Sequence, residues 1–297
     1  MSVEVIRSVA PPSSLSAFWS AFRENRGAVL GLCIVILVVL AGVFADFLTI
    51  YDPLEQYRDA VKLPPIWVTG SSWAHPLGTD PLGRDMWARL LYGSRLSIYI
   101  GLAVMLVSTA FGVVVGLLAA WRGGWVDVLV QRLMDLIISI PDILLSIMII
   151  AVIGPNLTNT IISIMVVYLP RYVRLVRSSA LVELSKDYVT ASKVSGVRPM
   201  RMMLTAVLPN CVAPLIVQAA LGVSDAILAA AALGFLGLGA QPPTPEWGSM
   251  LGDAKDLMQS HPWVMAMPGL CILITVVAIN LMGDGLRDAL DPRLRKS

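Results

Sequence analysis

The side chains able to do chemistry are few and widely spaced. The two histidines, His75 and His261, lie far apart, and neither belongs to a His-Glu-x-x-His pattern that would set two metal ligands on one helix face. Cys33, Cys211 and Cys271 fall in or beside apolar runs at no metal-ligand spacing, as small buried hydrophobes do. No Gly-Lys dipeptide occurs, so the usual Walker A loop for nucleotide phosphates is missing, and so is a Gly-x-Ser-x-Gly nucleophile elbow. These types and spacings make no metal site and no catalytic constellation, and the chain is expected to bind no cofactor of its own. What remains is charge set in apolar surroundings. Asp225 is the only charge well inside the apolar run 207–237. A charge near a bilayer centre costs about 2.5–3.5 kcal/mol on insertion scales, so it faces a polar cavity or a partner. Asp225 therefore reads either as a group lining a pathway or as a hydrogen-bond acceptor between helices. Asp135 and Asp142 flank Pro141, and Asp135, near one end of its apolar run, reads as interfacial. A proton-driven carrier usually carries a denser acid or histidine relay than this. It stays as the alternative from another class.

The elements that must hold these residues are membrane helices. Of 297 residues, 57% are hydrophobic and 14% charged, against roughly 25% charged in an average soluble domain. So few charges cannot cover a soluble surface, and so much apolar sequence is not disordered. A net charge of +2 is too small for electrostatic nucleic-acid binding. Three cysteines give no disulfide framework. A bilayer core of about 30 Å takes about 20 apolar residues per helix. Segments 28–48, 97–120, 133–153, 207–237 and 263–282 qualify, and 159–176 adds a short span whose Arg171 and Arg174 snorkel at one end. The expectation is an all-α polytopic protein of six spans. The positive-inside rule prefers six to five. With both ends inside, 16 of the 22 Lys and Arg lie on the inner side. The organisation is then a cytoplasmic segment 1–27, a first span 28–48, an outer loop 49–96, a core 97–292 and a tail 293–297. The first run is too long for a signal peptide and is expected to stay as an anchor. Residues 11–14 read as a disordered start, and 18–26 as an amphipathic helix on the inner surface.

The inner loop 177–206 is the most informative polar stretch. Ser185 and Asp187 are N-cap candidates. Tyr188, Ala191, Ser192 and Ser195 then share one small-residue face. Gly196 suits a left-handed cap, and Pro199 suits the first turn of a second helix. The spacing predicts a helix, a glycine bend and another helix. That is either a docking lever for a second protein or an ordinary interhelical loop.

The loop also resembles one of the membrane subunits of ABC importers, whose pattern is Glu-Ala-Ala, three residues, Gly, nine residues, Ile-x-Leu-Pro. Here Ala191, Gly196, Leu208 and Pro209 match at the same spacing, while Thr190, Ser192 and Ala206 depart from it. The segment with His75, Gly78, Asp80, Gly83, Arg84 and Asp85, followed by Arg89-Leu90-Leu91-Tyr92-Gly93, is similar to the stretch before span two of peptide and nickel permeases. Gly234-Phe235-Leu236-Gly237 with Ala240-Gln241-Pro242-Pro243-Thr244-Pro245-Glu246-Trp247-Gly248 resembles their loop after span five, and Asn280 to Pro292, with Gly283, Asp284 and Gly285, their C-terminal end. The likeness is to the second permease subunit of dipeptide, oligopeptide and nickel importers, and leans to the dipeptide member.

That resemblance implies a MetI-like fold of the type I importers, in the bacterial inner membrane. It implies half of a pore completed by a homologous second permease, two cytoplasmic ATP-binding subunits that carry ATP and Mg, and an extracytoplasmic peptide-binding protein. Tyr188, Thr190, Ala191, Ser192, Gly196, Val197 and Pro209 would couple to the ATPases, with Asp225 the candidate for the pathway. Oligopeptides, nickel, glutathione and haem precursors stay open as cargo. Read locally, Gly83-Arg84-Asp85 is either a turn with an ion pair or a solvated loop, and the family likeness favours the turn; Trp247 and Trp263 are interfacial anchors, and Gly283-Asp284-Gly285 stops the last helix.

Overall fold

A backbone in hydrocarbon must satisfy its own polar groups, which makes long apolar runs helical. The computed structural model describes residues 14–290, and these are helical apart from loops and one isolated bridge between Thr79 and Asp85. In chain order the helices are α1 (Ser14–Glu24), α2 (Arg26–Val43), α3 (Ala45–Leu48), α4 (Met86–Arg122), α5 (Gly124–Ile138), α6 (Asp142–Ile153), α7 (Leu157–Leu184), α8 (Asp187–Val194), α9 (Pro199–Met202), α10 (Leu208–Phe235), α11 (Trp247–Asp253) and α12 (Pro262–Leu290). Among the described residues, five helical stretches have the length and apolarity to cross a membrane, and the bent pair α5–α6 makes a sixth if counted as one span. The start at 11–13 and the basic tail 293–297 lie outside the described residues.

Three expected spans come out differently. The third is no straight helix over 133–153: α5 and α6 meet at 91°. Pro141 supplies no N–H and disfavours helical backbone at Ile140, so the ladder breaks there. The fourth is not short, since α7 is 28 residues long and continues past Arg171 and Arg174 to Leu184. Their charges do not snorkel to an edge; they meet aspartates from neighbouring helices. The fifth starts early. α9 runs through a π turn, Met203–Val207, into α10, which carries Pro209 at its start. Such π turns are rare and occur mostly as single turns inside longer α-helices, as here.

The core sits where α7 crosses α4 and α10. Gly112 and Gly116 let α4 approach α7 so closely that a methyl group on Gly112 would overlap the Tyr172 side chain, the small-residue contact by which membrane helices pack. Val104, Ile164, Val176, Val207 and Cys211 fill this core, and α12 lies against α10 with Val276 and Ile279. Cys211 is buried as expected, whereas Cys33 is exposed on α2 and Cys271 is half-buried. Helix α1 forms as predicted, but Phe22 is buried against Ala28 and Ala289, which docks it on the end of α12. The last helix does not stop at 283–285 and continues to Leu290. There Gly285 admits Ala28, and Gly283 admits Leu221, so these glycines serve close packing rather than termination.

Candidate functional site

Charged and polar side chains gather in three places: an elbow at one end, a ladder along α7, and a cap at the other end. In the elbow, neither Ser185 nor Asp187 caps α8. Ser185 closes α7, the N-cap is Lys186 with no side-chain bond, and Asp187 is the first helical residue. Tyr188 does that tethering instead. Its hydroxyl donates to Glu183 at 2.6 Å and receives the Asn210 amide at 3.2 Å, joining α8 to the ends of α7 and α10. The bond to the carboxylate pushes the Tyr188 hydroxyl up to about 12. Val189 is fully buried in the core. Gly196 turns at φ +74° and α9 begins at Pro199, as the spacing predicts. No atom lies within 4 Å of where a Gly196 side chain would start, so the bend is conformationally demanding but open. Thr190, Ala191, Gly196, Val197 and Pro209 face outward and Ser192 is half-buried. Val194 is 85% exposed and Met200 55%, an apolar edge on a rooted elbow.

The ladder follows from spacing three on α7, which lines up Arg171, Arg174 and Arg177. Arg171 reaches two aspartates, Asp142 at 2.9 Å from α6 and Asp225 at 3.0 Å from α10. Its guanidinium also lies 4.8 Å over the Tyr168 ring, and the Tyr168 hydroxyl donates to the Asp225 carbonyl at 3.2 Å. Arg174 pairs with Asp135, and Arg177 grips Asp127 through two bonds. Asp135 is thus an ion-pair partner rather than a merely solvated group. Asp225 and Arg171 keep 42% and 46% of their side chains exposed.

The cap is dry. Asp80 accepts from the Leu82 and Arg84 backbones and from the Arg84 guanidinium at 2.5 Å, with Arg89 3.4 Å away. Asp85 binds His75 at 2.8 Å and caps α4 through Ala88 N. The predicted turn forms, but its pairs are Arg84 with Asp80 and His75 with Asp85, not Arg84 with Asp85. Gly78 and Gly83 take positive φ, and the Leu63 and Tyr57 carbonyls press against them. Asp284 is exposed on α12 between Gly283 and Gly285, apart from this group. Two further cap residues, Arg89 and Glu246, are not singled out by residue type and spacing alone, although both stand in the permease-like motifs. Arg89, 2% exposed, donates to the Pro53 and Pro243 carbonyls at 3.3 and 3.5 Å. Glu246, equally buried, caps α11 by accepting from Gly248 N and Ser249 N. Burial pushes its carboxyl above the usual range, against the pull of those two bonds. Their signal was charge placed beside an apolar run. Trp247 is no interfacial anchor: it is buried and its indole donates to the Leu90 carbonyl at 3.0 Å.

Comparisons with known proteins agree with this geometry. Residues 112–296 match the model for the binding-protein-dependent transport system inner membrane component, and residues 13–65 that for the N-terminal TM domain of oligopeptide transport permease C. The chain is 51% identical to the di/tripeptide transport system permease protein DppC of Pseudomonas aeruginosa, over 98% of this chain and 96% of that one. It is also 51% identical to the dipeptide transport system permease protein DppC of Escherichia coli K12, over 99% and 98%. A solved structure of the MetNI methionine ABC transporter in an inward-facing conformation aligns with TM-score 0.52 and 24% identity, over 69% of this chain and 97% of that one. At that identity the likeness speaks for the fold, which is MetI-like. The resemblance drawn from the motifs is borne out.

Proposed function

The chain belongs to the family of binding-protein-dependent transport system inner membrane components, and from that premise we propose that it forms half of the pore through which an ABC importer takes up dipeptides and other short peptides. Membership makes it an inner-membrane permease that works with ATPase and binding-protein partners. The finer assembly is a homologous second permease, two cytoplasmic ATP-binding subunits holding ATP and Mg, and one extracytoplasmic peptide-binding protein. Both ends of the chain are then cytoplasmic, and the loop 49–85 faces outward.

The elbow carries this reading. Val189 and Tyr188 root α8 in the bundle, so a push on the exposed edge of Val194, Val197 and Met200 reaches α7 and α10 directly. Thr190, Ala191, Ser192, Gly196 and Pro209 then belong to the coupling surface. A packed core transmits such a push because it is bistable rather than soft. The chain supplies a path and a lever, while ATP chemistry stays with the partners. The proton-coupled alternative loses ground because Asp127, Asp135, Asp142 and Asp225 each face an arginine.

The test is reconstitution. The tagged chain is expected to copurify with a second permease and ATPases. Proteoliposomes holding the complex should accumulate dialanine only with ATP and the binding protein present. Accumulation by the purified chain alone under a pH gradient would overturn the reading. Uptake of nickel, glutathione or a longer peptide in place of dialanine would reassign the cargo.

A further inference from the structure

Beyond Asp187 the elbow carries cations and no carboxylate. Positions 188–224 hold Lys193, Arg198 and Arg201 but no aspartate or glutamate, and all three cations are exposed. Cations nearby are already engaged. Lys186 binds Glu183 at 2.6 Å, and Arg171, Arg174 and Arg177 each meet an aspartate. Among the described residues, Lys193, Arg198 and Arg201 have no carboxylate partner. Asp187 starts α8, at the opposite end from Lys193; even counted against the three cations, it leaves the surface basic. The cations are interleaved with the exposed Val194, Val197 and Met200, so an apolar edge has a basic rim. An apolar centre inside a polar rim is how protein interfaces are built. The elbow also lies outside the bilayer. The span expected at 159–176 ends at Val176, and α7 continues to Leu184, about 12 Å further at 1.5 Å per residue. The headgroup layer is about 5–8 Å deep on each side. An apolar edge past that height is out of reach of acyl chains, so a protein covers it.

We propose that the groove of the ATP-binding subunit that takes this elbow is apolar at its floor and acidic at its rim, with Lys193, Arg198 and Arg201 supplying the cations of the contact. This rests on the reading of the chain as an importer's permease. Thr190 stands where the importer pattern has glutamate, so the polarity is set the other way here: the carboxylates belong to the partner. Like charges facing each other across an interface are repelled, and such repulsion is a common source of specificity. An acid-rimmed groove therefore prefers this elbow to one that carries a glutamate, and the three cations choose which ATP-binding subunit docks.

The experiment uses nanodiscs of neutral phosphatidylcholine holding this chain and its partner permease, to which the ATP-binding subunits are added back. Their association rate is followed against salt. Rim charges act mainly on that rate. Lys193→Glu, Arg198→Glu and Arg201→Glu together should slow association at least about tenfold at about 0.05 M salt, with the difference shrinking to under about twofold at about 1 M, where charges are screened. Should the reversed chain fail to insert, the three glutamine substitutions at the same positions are read in the same way, with a smaller loss of the same sign. Thr190→Glu should slow association as well, by setting a carboxylate against carboxylates. Faster association with Thr190→Glu would overturn the polarity. An effect of the substitutions that is seen only when phosphatidylglycerol is added to the nanodiscs would overturn the proposal by assigning the cations to lipid headgroups. The two readings fail differently. If the ATP-binding subunits join the unaltered pair but ignore salt and all three substitutions, only the basic contact falls. If they do not join the unaltered pair at all, the permease reading falls first.

Discussion

The cap and the α7 ladder are built from the same two side chains, aspartate and arginine, in opposite surroundings. In the cap, Asp80, Arg84 and Arg89 are each under 5% exposed and tie the segment 49–85, the start of α4 and the approach to α11 into one knot. On α7 the pairs of Arg171 and Arg174 keep two-fifths to a half of their side chains open. A dry ion pair cannot be opened cheaply, because each charge released has no water to receive it. A wet pair exchanges for water or for another ion at little cost. The cap is therefore a fixed frame, and the ladder is a surface whose ion pairs can open at little cost.

The largest effect that would break this contrast is in the frame. Arg89→Ala leaves Asp80 buried with one cation fewer and two carbonyls without a donor, a loss of about 3–5 kcal/mol. Abundance in the membrane and the melting temperature of the purified complex should both fall sharply. A normally melting variant would mean the cap is wet after all. Next comes the elbow, where a β-branched side chain at φ +74° costs about 1–2 kcal/mol. Gly196→Val is expected to insert normally yet lose uptake, while Gly196→Asn, which tolerates that backbone, keeps most of it. Gly196→Asp should also insert and abolish uptake. Because the space around Gly196 is open in this chain, the damage comes from the altered bend and from charge on the docking surface rather than from a clash within the subunit. Matched uptake by all three variants and the unaltered protein would show that the bend does not transmit force. The smallest effect belongs to the ladder. Asp135→Asn loosens two exposed pairs, with Arg174 and with Arg132, and should cost under about 1 kcal/mol, so its melting temperature should stay near that of the unaltered complex. A loss rivalling that of Arg89→Ala would erase the distinction.

Legibility in the sequence followed the range of the interaction. Gly196 and Pro199 gave the elbow because left-handed caps and first-turn prolines are local preferences. The same local reasoning put an N-cap at Ser185 or Asp187 and missed, since Tyr188, held by Glu183 and Asn210, sets where α8 starts. Pro141 announced a kink but not an angle of 91°. Arg171 and Arg174 read as the end of a span because their partners lie 29 to 54 residues away in the chain. Gly283 and Gly285 read as a helix stop because the residues they admit, Leu221 and Ala28, are remote.

By itself the sequence determined that this is a helical membrane protein, roughly where its helices run, and that it carries a permease's motifs. Apolar content, length and turn chemistry act over a few residues and need no partner. Only the tertiary structure decided which charges are locked and which are free. That depends on how much water reaches each ion pair, and water access is a property of helices brought together from distant parts of the chain.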